Sequence, residues 1–163
     1  MTRRPAVSFP AETAQRFQFL VDEYGLAGPD YDEVLLPSTT YRGTGLMISI
    51  HFHVDPHDSA GAQISVSVQL STPEGPAHAD LAPLVEAAVF APRHRVATKA
   101  HTAEAMRATL DDNATWIRRL WPVLAGPDAL DTIRHANRWE TDRAGNPKRR
   151  PKNVTWKYGS PGD

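Results

Sequence analysis

From Leu46 to Asp55 the chain alternates without a break. Leu46, Ile48, Ile50, Phe52 and Val54 are apolar, and Met47, Ser49, His51, His53 and Asp55 lie between them. A period of two marks a strand with one packed face and one wet face. The pattern returns over Ala62 to Leu70, where Ile64, Val66, Val68 and Leu70 alternate with Gln63, Ser65, Ser67 and Gln69. Pro56 to Gly61 reads as the turn between the two. Glu33 to Leu36 and Thr39 to Arg42 are shorter strand candidates, separated by a corner at Pro37-Ser38, and Gly43-Thr44-Gly45 leads into the long strand. Short turns between successive strands predict an antiparallel meander of four strands. Pro73 to Pro76 is expected to close it.

Helical periodicity flanks the meander. Phe17, Leu20, Val21 and Tyr24 fall on one stripe and predict a helix from about Ala11 to Tyr24. Residues 1–9 read as a loose arm, with Ser8 as a cap and Pro10 in the first turn. Phe19 lies off the stripe, towards a second neighbour. Gly25 suits a left-handed C-cap, and Gly28-Pro29-Asp30 a turn. Later helices are expected from Asp80 to Phe90, from Thr102 to Pro122 and from Asp128 to Trp139. The second carries Met106, Leu110, Ala114, Ile117 and Trp121, with Thr102 as its cap. Strands followed by helices define an α+β fold, an antiparallel four-stranded meander with helices packed on one face.

Composition narrows the chemistry. The 163 residues suit one domain over 1–142 and a basic, proline-containing tail over 143–163 that reads as extended. There is no cysteine, which removes disulfides, thiolate nucleophiles and Cys-zinc sites. No apolar run approaches a membrane span, and no apolar core follows Arg3-Arg4 as a secretion signal requires, so a cytoplasmic protein with no membrane role is expected. The net charge of −1 hides an asymmetry, because the tail has six bases against Asp163 and leaves residues 1–142 at −6. Within that body Asp22, Glu23, Asp30, Asp32 and Glu33 form a run with no base between residues 22 and 33. Asn153 to Tyr158 alternates and reads as a segment that docks at a sheet edge.

Three groups carry candidate chemistry. His51, His53 and Asp55 share one strand face, with His57 just beyond, and imidazoles two apart on a strand can reach one ion. The string resembles the His-x-His-x-Asp-His motif of metallo-β-lactamase-like hydrolases, but Pro56 displaces the last histidine. A small metal-dependent hydrolase and a plain polar sheet face both remain open. Lys148, Arg149, Arg150 and Lys152, near Trp156 and Tyr158, fit phosphate contact and base stacking, or a solvated terminus. The acidic run fits a basic protein partner, or a soluble loop. Phosphate loops, dinucleotide fingerprints and nucleophile elbows are absent, and no residue set asks for a cofactor.

The segment Phe17-Gln18-Phe19-Leu20-Val21-Asp22-Glu23-Tyr24-Gly25-Leu26, the strand bearing Tyr41, the paired strands at 46–54 and 62–70, and Leu124-Ala125-Gly126-Pro127-Asp128 together resemble a broad group of small bacterial α+β proteins of unassigned function. Some of these are immunity proteins of polymorphic toxins. The resemblance spans roughly residues 15 to 138, brings no catalytic residue and omits the basic tail. It implies a non-enzymatic binding protein that covers the active surface of a basic toxin domain. Ser49, His51, His53, Ser65 and Ser67 on the sheet, with the acidic run, are the expected contacts.

Overall fold

The computed structural model describes residues 5–54, 61–137 and 155–158. Its centre is the expected pair of long strands, β3 (Leu46–Val54) and β4 (Ala62–Thr72). They run antiparallel with Ser49 opposite Ser67, His51 opposite Ser65 and Phe52 opposite Ile64. This register turns Ile48, Ile50, Phe52, Ile64, Val66 and Val68 into the core, each at most 2% exposed. Removing the Phe52 ring from such a site costs about 3–5 kcal/mol.

The sheet has five strands, not four, in the order β1 to β5 and all antiparallel. β1 is Ala27–Asp32 and β2 is Ser38–Arg42. The expected strand at Glu33 to Leu36 is instead an exposed turn. Its three apolar residues satisfy strand propensity, but the chain has already paired upstream of them. Around Gly28-Pro29, where a turn was expected, the chain makes an irregular start to β1, and the register shifts between Ala27 and Asp30. Gly28 sits at φ +131°, and a Cβ there would lie 2.8 Å from the Thr40 carbonyl oxygen. Only glycine fits that approach. The fifth strand, β5 (Gly75–Asp80), occupies the place of the expected closing turn. Its hairpin is tight: Thr72 pairs with Gly75, and Thr72 Oγ1 donates to the Gly75 carbonyl at 2.6 Å. Pro76 is tolerated because β5 is an edge strand.

The first helix also differs. α1 spans Pro5–Arg16, so residues expected in a loose arm are helical, Ser8 is not a cap and Pro10 lies inside the helix. α2 (Phe19–Asp22) follows a break at Phe17-Gln18. One straight helix cannot bury Phe17, Phe19 and Leu20 against the same surface. The break lets Phe17 stack on Tyr41 at 6.4 Å, while Phe19 meets Tyr24 edge-on at 5.5 Å and lies under the Arg118 guanidinium at 3.9 Å. Gly25 ends this region at φ +72°, as its sequence position implies. Burial pushes the Tyr41 phenol up to about 12, so it stays neutral.

α3 (Leu81–Ala87) is shorter than expected. α4 (Ala103–Leu124) starts where predicted, with Thr102 Oγ1 accepting from the Ala105 N–H at 3.0 Å. Met106, Leu110 and Ile117 on its stripe are fully buried. Trp121 stacks flat on Tyr24 at 4.0 Å. Pro122 lies in the last turn of α4. α5 (Ala129–Asn137) closes the described body, and Trp139 lies outside the described residues. Helices α1, α3, α4 and α5 and the apolar sheet residues contribute to one core cluster that includes Phe9, Leu84, Leu120 and Ile133. Of the tail, residues 155–158 lie outside the sheet, and their backbone donates to Val89 O from Lys157 at 3.0 Å and to Phe90 O from Tyr158 at 2.6 Å.

α3 ends through a residue in the left-handed region. Val89 has φ +60°, and its N–H and that of Phe90 close the helix end on Glu86 O and Val85 O. Such a site favours glycine, because a branched Cβ clashes with the following carbonyl. Val89→Gly is expected to raise stability by about 0.5–1 kcal/mol in urea unfolding, once the added chain entropy of glycine is subtracted. A loss of stability would contradict the strain.

Candidate functional site

The register of β3 and β4 gathers the five expected sheet residues, Ser49, His51, His53, Ser65 and Ser67, on one face. Thr40 on β2 joins them, with its Oγ1 3.1 Å from Ser49 Oγ. The histidines lean diagonally across the ladder instead of pairing straight across. His51 Nε2 lies 3.4 Å from Ser67 Oγ, and His53 Nε2 lies 2.7 Å from Ser65 Oγ. Diagonal contacts of this kind are within reach of long side chains on antiparallel strands. The two rings are 6.0 Å apart and tilted by 50°.

This arrangement sends the two Nε2 atoms to two different serines. Asp55 and His57, the other metal candidates, lie outside the described residues. Among the described residues no three histidines or carboxylates converge as a metal ion requires. The face as described is a set of paired donors and acceptors, half-buried at the histidines and buried at Ser49.

The acidic run divides between two places. Asp22 and Glu23 stand at the end of α2, where Gln18 Nε2 donates to Asp22 at 3.0 Å and Arg118 on α4 donates to Glu23 at 2.7 Å. The Arg118 hydrogen bond holds the Glu23 carboxyl below its ordinary range. Asp30, Asp32 and Glu33 stand on and beyond β1, every residue of which is exposed. Asp30 pairs with Arg42 across the strands at 2.5 Å. Asp32 Oδ1 accepts the Val34 N–H at 2.9 Å, and Tyr31 Oη donates to Glu33 at 3.4 Å. The basic residues Lys148, Arg149, Arg150 and Lys152 lie outside the described residues.

Sequence reasoning missed the apolar tip beside those acids. Val34 is 83% and Leu35 92% exposed. The Pro37 carbonyl accepts the Phe52 N–H at 2.8 Å, which fixes this turn beside the end of β3, where Val54 is 60% exposed. Scattered exposed apolar residues need no explanation, but a consecutive set on an ordered turn does. The signal was present as three apolar residues in a row directly after Asp32-Glu33.

The helix carboxylates are structural. Asp112 Oδ2 accepts the Ala97 N–H at 2.9 Å, and Asp111 bonds Arg16 Nε at 2.8 Å. Compared with family models, curated proteins and solved structures, the chain matches none of them.

Burial lowers the pKa of His51, the neighbouring His53 adds to this, and Asp80 opposes it. Between the folded and unfolded values the unfolded chain binds more protons, so this contribution is intact above about pH 6.5 and is lost as pH falls below it. An NMR titration of His51 is expected to give a midpoint below 6.5. His51→Gln is expected to flatten part of the loss of stability between about pH 7 and pH 5. A midpoint above the ordinary value would contradict the desolvated setting.

Proposed function

We propose that this chain is a non-enzymatic bacterial binding protein that acts in the cytoplasm, and specifically that it neutralises a toxin by covering the basic active surface of its catalytic domain. The observation that carries the reading is the tip of Val34 and Leu35 standing out of an acidic edge made by Asp30, Asp32 and Glu33. An apolar anchor ringed by charge is the arrangement of a protein interface: the anchor supplies affinity once desolvated, and the rim supplies steering and choice of partner. Burying Leu35 on a partner would recover about 1.5–3 kcal/mol that the isolated chain forgoes. The helices are taken to stay on the core side of the sheet, leaving Ser49, His51, His53, Ser65 and Ser67 as a second, polar contact area. The resemblance in the segments around Phe17–Leu26 and the paired strands points the same way.

The test is titration calorimetry against purified toxin domains with basic active surfaces, screened as candidate partners. A one-to-one complex is expected. Reversing charge at Asp30, Asp32 and Glu33 together should weaken it about tenfold or more and reduce its salt dependence. Leu35→Asp should weaken it by at least as much, mainly through faster dissociation. Full affinity in both variants would reject this surface.

A further inference from the structure

β1 is the outermost strand of the sheet, and among the described residues β2 is its one strand partner. The ladder shows which of its backbone groups are free. The Phe52 N–H donates to Pro37 O and the Gly43 N–H donates to Leu46 O. Ser38 with His51 and Arg42 with Met47 are therefore non-hydrogen-bonded pairs, and by alternation so is Thr40 with Ser49. The N–H and C=O of Ser38 and Thr40 point instead towards β1, where they meet Asp32 and Asp30, their partners in register. Tyr31, between those two, turns its own N–H and C=O outward, where no strand lies. Upstream, Pro29 has no N–H to offer. The open edge is thus one complete donor–acceptor pair at Tyr31, bounded by Pro29 on one side and the apolar turn on the other.

The two faces of this edge differ. Tyr31 stands on the same side as Thr39, its cross-strand partner. Thr39 is 1% exposed and Tyr31 is 43% exposed, because α1 packs on β2 and β3 and leaves β1 uncovered. The opposite face carries Asp30 and Asp32, with Glu33 directly after the strand. Asp30 already holds Arg42, whereas Asp32 accepts a backbone N–H and Glu33 a phenol. The uncompensated charge is therefore at Asp32 and Glu33. A second copy of this chain paired about Tyr31 would set Asp30 and Asp32 opposite each other, and like charges so placed are destabilising. The edge suits a basic strand.

We propose that a partner adds an extended basic segment to β1, antiparallel, with paired backbone bonds to Tyr31. In that register the segment's central residue shares the Tyr31 face, where an apolar side chain covers the exposed ring. The residue before it lies opposite Asp32, where a lysine or arginine pairs with the free carboxylate. This mode of engagement rests on the acidic edge being the partner-binding surface, and adds that the partner's backbone is recognised as well as its charge.

The probe is the peptide N-acetyl-Lys-Lys-Val-Thr-Val amide, titrated into the full chain and followed through its amide NMR signals. Saturable shifts centred on Tyr31 are expected, with a dissociation constant of about 0.1–1 mM for so short a segment and weaker binding at high salt. Hydrogen exchange at the Tyr31 N–H should slow in the complex. Methylating the nitrogen of the first valine removes the donor to Tyr31 O and keeps both lysines, and should weaken binding about tenfold. Tyr31→Pro removes the outward N–H without touching a bond to β2, and should weaken the parent peptide by a similar factor. Tyr31→Val keeps the backbone and should cost about threefold or less. Equal affinity for the methylated and parent peptides, or unchanged affinity in Tyr31→Pro, would overturn strand addition while leaving a partner surface that acts through charge alone. Absence of saturation would overturn it as well, and the calorimetry with toxin domains then judges the partner surface by itself. Tyr31 signals that move with protein concentration before peptide is added would assign the edge to a second copy and likewise reject the proposal.

Discussion

The strict alternation along β3, locked against β4, is the constraint on which the rest of the structure depends. With Phe52 opposite Ile64 and Ile50 opposite Val66, the inward side chains Ile48, Ile50, Phe52, Ile64, Val66 and Val68 join one core. A slip of one residue would bury His51 and His53 and expose Ile50 and Phe52. Burying two imidazoles without partners, and losing several fully buried apolar side chains, would each cost several kcal/mol. Hydrophobic pairing therefore selects one register. That register also brings Ser49, Ser65, Ser67 and the two histidines together, so the polar face is a consequence of how the core is packed.

The same constraint explains where the unsettled features of the molecule lie. Helices α1 and α4 pack together and carry complementary pairs such as Arg16 with Asp111 and Glu12 with Arg107, and the end of α2 adds Glu23 with Arg118 and Tyr24 with Trp121. The edges of the sheet are different. At one edge β1 is wholly exposed and runs into the apolar tip at Val34-Leu35. At the other, β5 pairs with β4 only from Thr72 back to Ser67, and a separate bridge at Lys99 meets Gln63. Edge strands carry unpaired backbone groups by construction, and natural proteins cover them, blunt them or use them. Pro29 and the register shift of β1 and Pro76 in β5 blunt their edges. The tip remains as a place where an outside group has something to gain.

Much of the fold was legible in the sequence. The alternation in β3 and β4 defined their pairing partner and inward face, and the bounds of β3 agree to the residue. The stripe from Met106 to Ile117 and the cap at Thr102 located α4, because period and capping chemistry are both local signals. β5 was not legible. Gly75, Pro76, Ala77, His78 and Ala79 have little strand propensity, and the strand exists because β4 offers an edge to pair with. The Glu33 to Leu36 segment fails in the opposite sense, since strong propensity is overridden once β1 has formed upstream. The break between α1 and α2 follows from burying Phe17 and Phe19 on different neighbours, which no single stripe can show. For the candidate site, the sequence identified the histidine and serine face and the acids. It could not show that Glu23 pairs with Arg118 and Asp30 with Arg42, because both depend on contacts between distant segments.

The measurement that bears most directly on this account is the pattern of cross-strand Hα–Hα contacts by NMR. The N–H groups of Phe52 and Ile64 both turn outward, to Pro37 and Thr98, so Phe52 faces Ile64 in a non-hydrogen-bonded pair, where the Cα atoms come closest. Close Hα–Hα contacts are therefore expected for Phe52 with Ile64, Ile50 with Val66 and Ile48 with Val68. Contacts displaced by one residue, joining Ile50 to Ser65 or Ser67, would contradict the register and with it both the core and the polar face built on it.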